Sequence, residues 1–132
     1  MEMKIEFPGG QKVNALFNDH QVKTDQPIES GGDGTAPDPF STFLASIGTC
    51  TGIYILRFCQ KRKINTENLS LMLKPHWNNE TNLVDIIDID IFTGRFFPDK
   101  YKDVLLKVAK LCTVKRNLEK PPLINLRLTK KN

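Results

Sequence analysis

Between Phe40 and Leu56 the chain carries no charged residue, and this run is entered through Asp38-Pro39. Aspartate before proline reads as a helix N-cap followed by a residue already set for the first turn. The pattern predicts a helix from there to about Lys63, roughly 37 Å long at 1.5 Å per residue. Phe40, Phe43, Leu44, Ile47, Tyr54, Ile55 and Phe58 leave almost no polar face ahead of Arg57. A helix apolar all round does not lie on the surface of a small domain; it belongs at the centre of a core or of an oligomer. Gly48 and Gly52, one turn apart, would let another helix approach closely. Ser41, Thr42, Ser46, Thr49 and Thr51 interrupt the run, and it falls short of the ~20 apolar residues a membrane span requires. The expectation is a buried helix and no membrane partner.

What surrounds the helix reads as strand. Lys4–Phe7 and Val13–Phe17 flank the turn signal Pro8-Gly9-Gly10, and Asn18-Asp19-His20 turns into Gln21–Thr24. Leu69–Pro75 and Leu83–Phe92 flank a hairpin loop at Asn78–Asn82. Ile87-Asp88-Ile89-Asp90-Ile91 alternates strictly, which predicts one buried and one wet face. The phase slips between Ile86 and Ile87, as at a bulge or a switch of face. Pro98 opens a second helix in which Tyr101, Leu105, Val108 and Cys112 keep helical spacing. Pro121-Pro122 breaks the chain, and Leu123–Thr129 forms a last alternating strand. Strands, long helix, hairpin, helix and strand in that order make an α+β domain rather than the βαβα alternation of a parallel sheet.

A chain of 132 residues with 26% charged and 39% hydrophobic residues fits one soluble domain. Its net charge of +4 is spread over short runs, Lys61-Arg62-Lys63, Lys115-Arg116 and Lys130-Lys131, at helix and chain ends. Nucleic-acid binding needs a basic patch on a recognisable module, and no such module is present, so no nucleic-acid partner is expected. Gly31-Gly32-Asp33-Gly34-Thr35 resembles a phosphate-cradling loop only superficially, because the Gly-Lys-Ser/Thr ending is missing. Met1-Glu2-Met3-Lys4 carries charge where an export segment would be apolar, which points to the cytoplasm. There a lasting structural disulfide is not expected and a transient one is usually catalytic.

The three cysteines carry the chemistry. Cys50 sits mid-helix among Gly48, Thr49, Thr51 and Gly52, small neighbours that leave room for a ligand or a second sulfur. Cys112, in Leu111-Cys112-Thr113-Val114-Lys115, offers that sulfur if tertiary packing brings the two helices together. The same residues suit two packed core thiols equally well. Cys59 lies nine positions after Cys50, on the opposite helix face and about 13.5 Å along the axis. Disulfide geometry, with Cα atoms within about 7 Å, excludes that pair within one helix, so Cys59 reads as core. His20 and His76 sit in turns, with no His-x-Glu or Cys-x-x-Cys spacing, and no metal site or cofactor is expected.

Taken in order, Gly31-Gly32-Asp33-Gly34-Thr35-Ala36-Pro37-Asp38-Pro39, Leu44-Ala45-Ser46-Ile47-Gly48-Thr49-Cys50 and Cys112-Thr113-Val114 resemble the OsmC/Ohr family of osmotically inducible and organic hydroperoxide resistance proteins. The resemblance covers nearly the whole chain. It implies an intertwined homodimer with antiparallel sheets wrapped around long central helices and active sites at the subunit interface. It further implies a thiol peroxidase for organic hydroperoxides. In such an enzyme Cys50 would be oxidised to the sulfenic acid, Cys112 would condense with it to a disulfide, and an external dithiol would reduce the product. The chain departs from the peroxidases at Phe40, where they place a glutamate holding an arginine against the thiolate; no arginine precedes Arg57 here. Lys12 and Arg57 are the candidate replacement cations, and Lys12, Phe40 and Arg57 the candidate substrate-binding residues. Arg57 follows Cys50 by seven positions, hence on nearly the same face, and leans back toward it. The alternative is a non-catalytic protein of the same fold that binds a small apolar or thiol ligand at the dimer interface.

Overall fold

The computed structural model describes residues 1–130 and has the α+β architecture expected, with antiparallel sheets and three α-helices. The chain divides into two compact units, Met1–Ser46 and Ile47–Asn132, the division falling inside the long helix.

In the first unit, β1 (Lys4–Gly9), β2 (Lys12–Phe17) and β3 (His20–Val22) form an antiparallel meander in that order. Asn18 and Asp19 make the β2–β3 turn with φ of 45° and 60°, values that asparagine and aspartate tolerate better than other side chains. A short 3-10 turn at Ile28–Ser30 leads into the glycine loop. There a Cβ on Gly32 would stand 1.9 Å from the carbonyl oxygen of Gln26, so only glycine fits. The helix α1 (Pro39–Lys61) starts where Asp38-Pro39 predicts. Asp38 Oδ1 accepts the backbone N–H groups of Phe40 at 2.9 Å and Ser41 at 3.0 Å, satisfying two orphan donors of the first turn.

In the second unit, β4 (Ser70–Asn78) and β5 (Leu83–Phe92) pair as an antiparallel hairpin. Leu71 faces Ile91, Leu73 faces Ile89 and Pro75 faces Ile87, so the alternation read in the sequence becomes one apolar ladder. The other face carries polar pairs: Lys74 Nζ reaches Asp90 and His76 Nε2 reaches Asp88, both at 2.7 Å. A slip is present, but at Asp85 rather than between Ile86 and Ile87: the register shifts between His76 and Trp77, which face Ile86 and Val84, leaving Asp85 as the extra residue. The turn is closed by Asn78, whose side-chain oxygen accepts from Glu80 at 2.9 Å and Thr81 at 3.2 Å. Ile55, Phe58, Cys59 and Leu105 are the buried core, with Leu71, Ile91, Phe97, Tyr101 and Val108 packed around them.

Three features differ from the sequence reading. α1 buries one stripe, Ile47, Thr51, Ile55, Phe58 and Cys59, while Phe40 and Ile53 stay 39% and 38% exposed. A single chain therefore covers only one side of the helix. By length and composition α1 would also suffice to cross a membrane, as would the core helices of other proteins. Second, the helix expected from Pro98 is split into a 3-10 turn at Asp99–Tyr101, α2 (Lys102–Ala109) and α3 (Thr113–Glu119), with Cys112 at the break. Third, Leu123–Thr129 forms no strand, and Leu123, Ile124, Leu126 and Leu128 are 84–100% exposed. A strand without a neighbour to accept its ladder of hydrogen bonds has nothing to hold it extended. Of the basic run at Lys130-Lys131, Lys131 lies outside the described residues.

Candidate functional site

Ile47, Cys50, Thr51 and Tyr54 recur at helical spacing and line one stripe of α1. Against this stripe sits the start of α3. Cys112 is its N-cap, with extended backbone (φ −48°, ψ 124°) and no solvent exposure. A cap is ordinarily Ser, Thr, Asp or Asn, whose oxygen accepts from the first turn. Here the sulfur takes that place and accepts the Lys115 N–H at 3.5 Å. Cys50 and Thr51 are the α1 side chains whose neighbourhood lowers the Cys112 thiol. The Cys112 thiol donates to the Ile47 carbonyl at 4.0 Å, and the same carbonyl accepts the Thr51 hydroxyl at 2.9 Å. One turn on, Tyr54 Oη and Thr113 Oγ1 are 2.9 Å apart, tying α3 to α1.

The packing thus brings the two sequence-predicted thiols, Cys50 and Cys112, together, both as free cysteines. Burial pushes the Cys112 thiol up. The N–H of Lys115, the Cys50 thiol, the Thr51 hydroxyl and the N–H of Val114 outweigh it, and Cys112 ends below the ordinary thiol value. Cys50 is half-buried and is the more accessible of the two residues. Cys59 sits in the core, where burial pushes its thiol up and Arg62 offsets this in part. The Arg62 guanidinium itself lies 3.9 Å from the centre of the Phe58 ring.

The other sequence candidates have separate surroundings. In the first unit the Lys12 ammonium pairs with Asp33 and, at 3.8 Å, with the fully buried Asp25. Asp25 also accepts from the Thr35 N–H at 3.0 Å, the Thr35 hydroxyl at 2.7 Å and the Gln26 N–H at 2.8 Å. These bonds, the Thr35 N–H first, hold the Asp25 carboxyl at about 2. The Asp33 hydrogen bond chiefly raises Lys12. The ring of Phe40 packs 5.6 Å from that of Phe43. Arg57 is exposed, about 10.5 Å along the axis from Cys50, and among the described residues it forms no ion pair. No cluster of three or more His, Cys, Asp or Glu suited to a metal occurs among the described residues.

Thr51, Tyr54 and Thr113 do not stand out as site residues in the sequence. Thr51 reads there as a small neighbour and Tyr54 as part of the apolar helix. Their signal is the shared stripe with Cys50, which gains meaning only once α3 is seen to start against it.

A family model described as OsmC-like protein matches residues 32–127. Among solved structures, the chain is similar to a Psychrobacter arcticus protein assigned to the osmotic stress induced and detoxification response. They share 19% identity, 87% of this chain and 85% of that one aligned, at a TM-score of 0.74. A hypothetical protein from Aquifex aeolicus matches at 15% identity, 91% and 87% coverage and TM-score 0.64. The organic hydroperoxide resistance protein OsmC of Legionella pneumophila matches at 19% identity, 89% of each chain and TM-score 0.54. At these identities the structural likeness carries the fold. Among curated proteins no significant match was found.

Proposed function

Because the chain belongs to the OsmC-like protein family, we propose that it is a stress-related redox protein, and specifically a cysteine-based peroxidase that reduces organic hydroperoxides. The observation that carries this reading is the placing of a half-buried Cys50 beside a fully buried Cys112 whose thiol it helps to lower. The accessible sulfur suits a meeting with the hydroperoxide, and the buried one suits resolution of the product. Cys50 attacks the O–O bond and becomes a sulfenic acid, releasing the alcohol. Cys112 then displaces hydroxide to close the Cys50–Cys112 disulfide before further oxidation. An external dithiol restores both thiols by exchange. The name of the Legionella pneumophila relative supports the substrate class. The cytoplasm, which keeps such a pair reduced, is the compartment that suits this cycle.

The protein acts as a homodimer in this proposal. The exposed side of α1 and the apolar segment Leu123–Leu128 support it, since both lack cover within one chain. Phe40, in place of the glutamate of the resembling peroxidases, and the engagement of Lys12 with Asp25 and Asp33 favour a second reading. In that reading the same fold binds a small apolar or thiol ligand without turnover.

The discriminating experiment is consumption of cumene hydroperoxide with dithiothreitol, for the parent and for Cys50→Ser, followed by peptide mapping. The peroxidase reading expects turnover in the parent, none in Cys50→Ser, a Cys50–Cys112 bridge, and Cys59 alkylatable after denaturation. No turnover in the parent, or a bridge involving Cys59, would overturn it and leave the binding protein.

A further inference from the structure

We propose that the groove along α3 is the docking site of an anionic thiol reductant, held by the Arg116 guanidinium and the Lys120 ammonium while it reduces the Cys50–Cys112 disulfide. This rests on the peroxidase reading above and names the class of its second substrate.

Thr113, Arg116, Asn117, Glu119 and Lys120 line a groove of about 470 Å³ on α3, a size that suits a small molecule. Arg116 and Lys120 stand four positions apart, so their side chains share one side of the helix. Thr113 and Asn117 lie on the same side, and the Asn117 amide donates to the Thr113 carbonyl at 2.9 Å. The groove begins beside the thiols. Thr113 follows Cys112, and its hydroxyl lies 2.9 Å from Tyr54 Oη, one turn along α1 from Cys50. The Cys112 thiol in turn donates to the Ile47 carbonyl at 4.0 Å, on the other side of Cys50 along the same stripe.

The charge of the molecule is concentrated here. Residues 102–120 hold six cationic side chains against Asp103 and Glu119, a net +4 that equals the net charge of the whole chain. The Glu119 carboxylate, which also borders the groove, is taken up by Lys115. Arg116 and Lys120 form no ion pair among the described residues. A cation near a helix C-terminus is favoured in any case. The dipole does not require two of them, uncompensated, in one groove beside a thiol pair.

Of the two substrates in the cycle, only the thiol must be an anion to react, because the thiolate is the nucleophile of exchange and a hydroperoxide is neutral. A positive field raises the local concentration of an anion and favours ionisation of its thiol. A thiol that also carries a carboxylate offers the groove a second negative charge, which a guanidinium binds as a fork.

The exchange balances. The reductant's thiolate sulfur bonds to Cys50, the more accessible residue, the Cys50–Cys112 bond breaks, and Cys112 leaves as a thiolate. A second thiolate, from the same dithiol or another molecule, attacks the reductant's sulfur in the mixed disulfide and releases Cys50. The reductant loses two electrons and ends as its disulfide. The protein disulfide gains both, and the two protons given up by the reductant's thiols return to Cys50 and Cys112 through water.

The test alkylates Cys50 in the reduced protein with iodoacetate and with iodoacetamide, located by peptide mass, at one pH and low salt. The same thiolate meets both reagents, so the ratio of the two rates reports the field at the sulfur and not its ionisation. The variants are the double substitution Arg116→Gln with Lys120→Gln, the single Arg116→Lys, and Lys61→Gln, which removes an exposed charge at the end of α1. Glutamine, arginine and lysine have similar helix propensity, so α3 is kept. The iodoacetate-to-iodoacetamide ratio should fall at least about twofold in the double variant, the effect of two charges at ~10 Å in water. It should hold in Arg116→Lys and Lys61→Gln, and added salt should bring the parent down to the double variant. In the oxidised protein, the double variant should slow reduction by 3-mercaptopropionate at least about twofold more than reduction by 2-mercaptoethanol. An unmoved ratio in the double variant, an equal fall in Lys61→Gln, or equal slowing with both thiols would overturn the proposal. A ratio that falls in a protein whose Cys50 and Cys112 never bridge on treatment with hydroperoxide would sink the peroxidase reading and leave an anion site. A bridge that forms while the ratio stays put would sink this inference alone.

Discussion

Replacing Leu105 by alanine should be the most costly single truncation in α2, and its size follows from where the side chain sits. Leu105 is 2% exposed and packs with Ile55, Phe58 and Cys59. Losing three buried carbons forfeits about 0.8 kcal/mol each in transfer free energy, roughly 2.4 kcal/mol. The cavity adds to this, but Val108 and Ile91 beside it are only half-buried and can relax inward. The expected total is therefore ~3 kcal/mol, near the low end for Leu→Ala in a core. With an unfolding entropy of about 2.1 cal/mol/K per residue, a chain of this length has about 0.28 kcal/mol/K. The midpoint of thermal unfolding should then fall by ~11 °C. Leu106→Ala is the control: it makes the same substitution one position along the same helix, with the same propensity gain, at a side chain 54% exposed. It should change stability by no more than about 0.5 kcal/mol. Both variants are compared by urea unfolding at one fixed protein concentration, because any assembly would add mass action to the result. If Leu106→Ala costs as much as Leu105→Ala, the core assignment is wrong.

Two further expectations concern the glycine loop and the assembly. The Asp25 carboxyl, held at about 2 against an unfolded value near 3.9, stabilises the folded state fully above the unfolded pKa. That contribution should be lost as pH falls from about 4 toward 2. Asp25→Asn should flatten this part of the acid limb in pH-dependent unfolding, and a limb identical to the parent's would refute the role given to the Thr35 and Gln26 bonds. Sedimentation at micromolar concentration should show a dimer, given the uncovered side of α1 and the exposed Leu123–Leu128 segment. A stable, folded monomer would contradict it.

The sequence alone determined what local rules control. Asp38-Pro39 starts α1 because a carboxylate that accepts two N–H groups and a fixed φ are properties of those two residues. Leu71, Leu73, Ile87, Ile89 and Ile91 face one way because the pleat has a period of two. Cys59 cannot bridge Cys50 because helix geometry turns it away, and it lies in the core. The apolar helix with its cysteine, and the second cysteine after it, were legible as a thiol pair in prospect. Only tertiary structure decided that they meet. The break before Cys112 carries no glycine or proline to announce it; there the Cys112 sulfur caps α3 by accepting the Lys115 N–H while its thiol donates to the Ile47 carbonyl of α1. The roles of Thr51 and Tyr54 were invisible for the same reason: a hydroxyl has a function only relative to what packs against it. Lys12 read as a free cation until the fold placed Asp25 and Asp33 beside it. Leu123–Thr129 alternates like a strand, but alternation specifies which face a strand would bury, and the pairing that makes a strand must come from a neighbour.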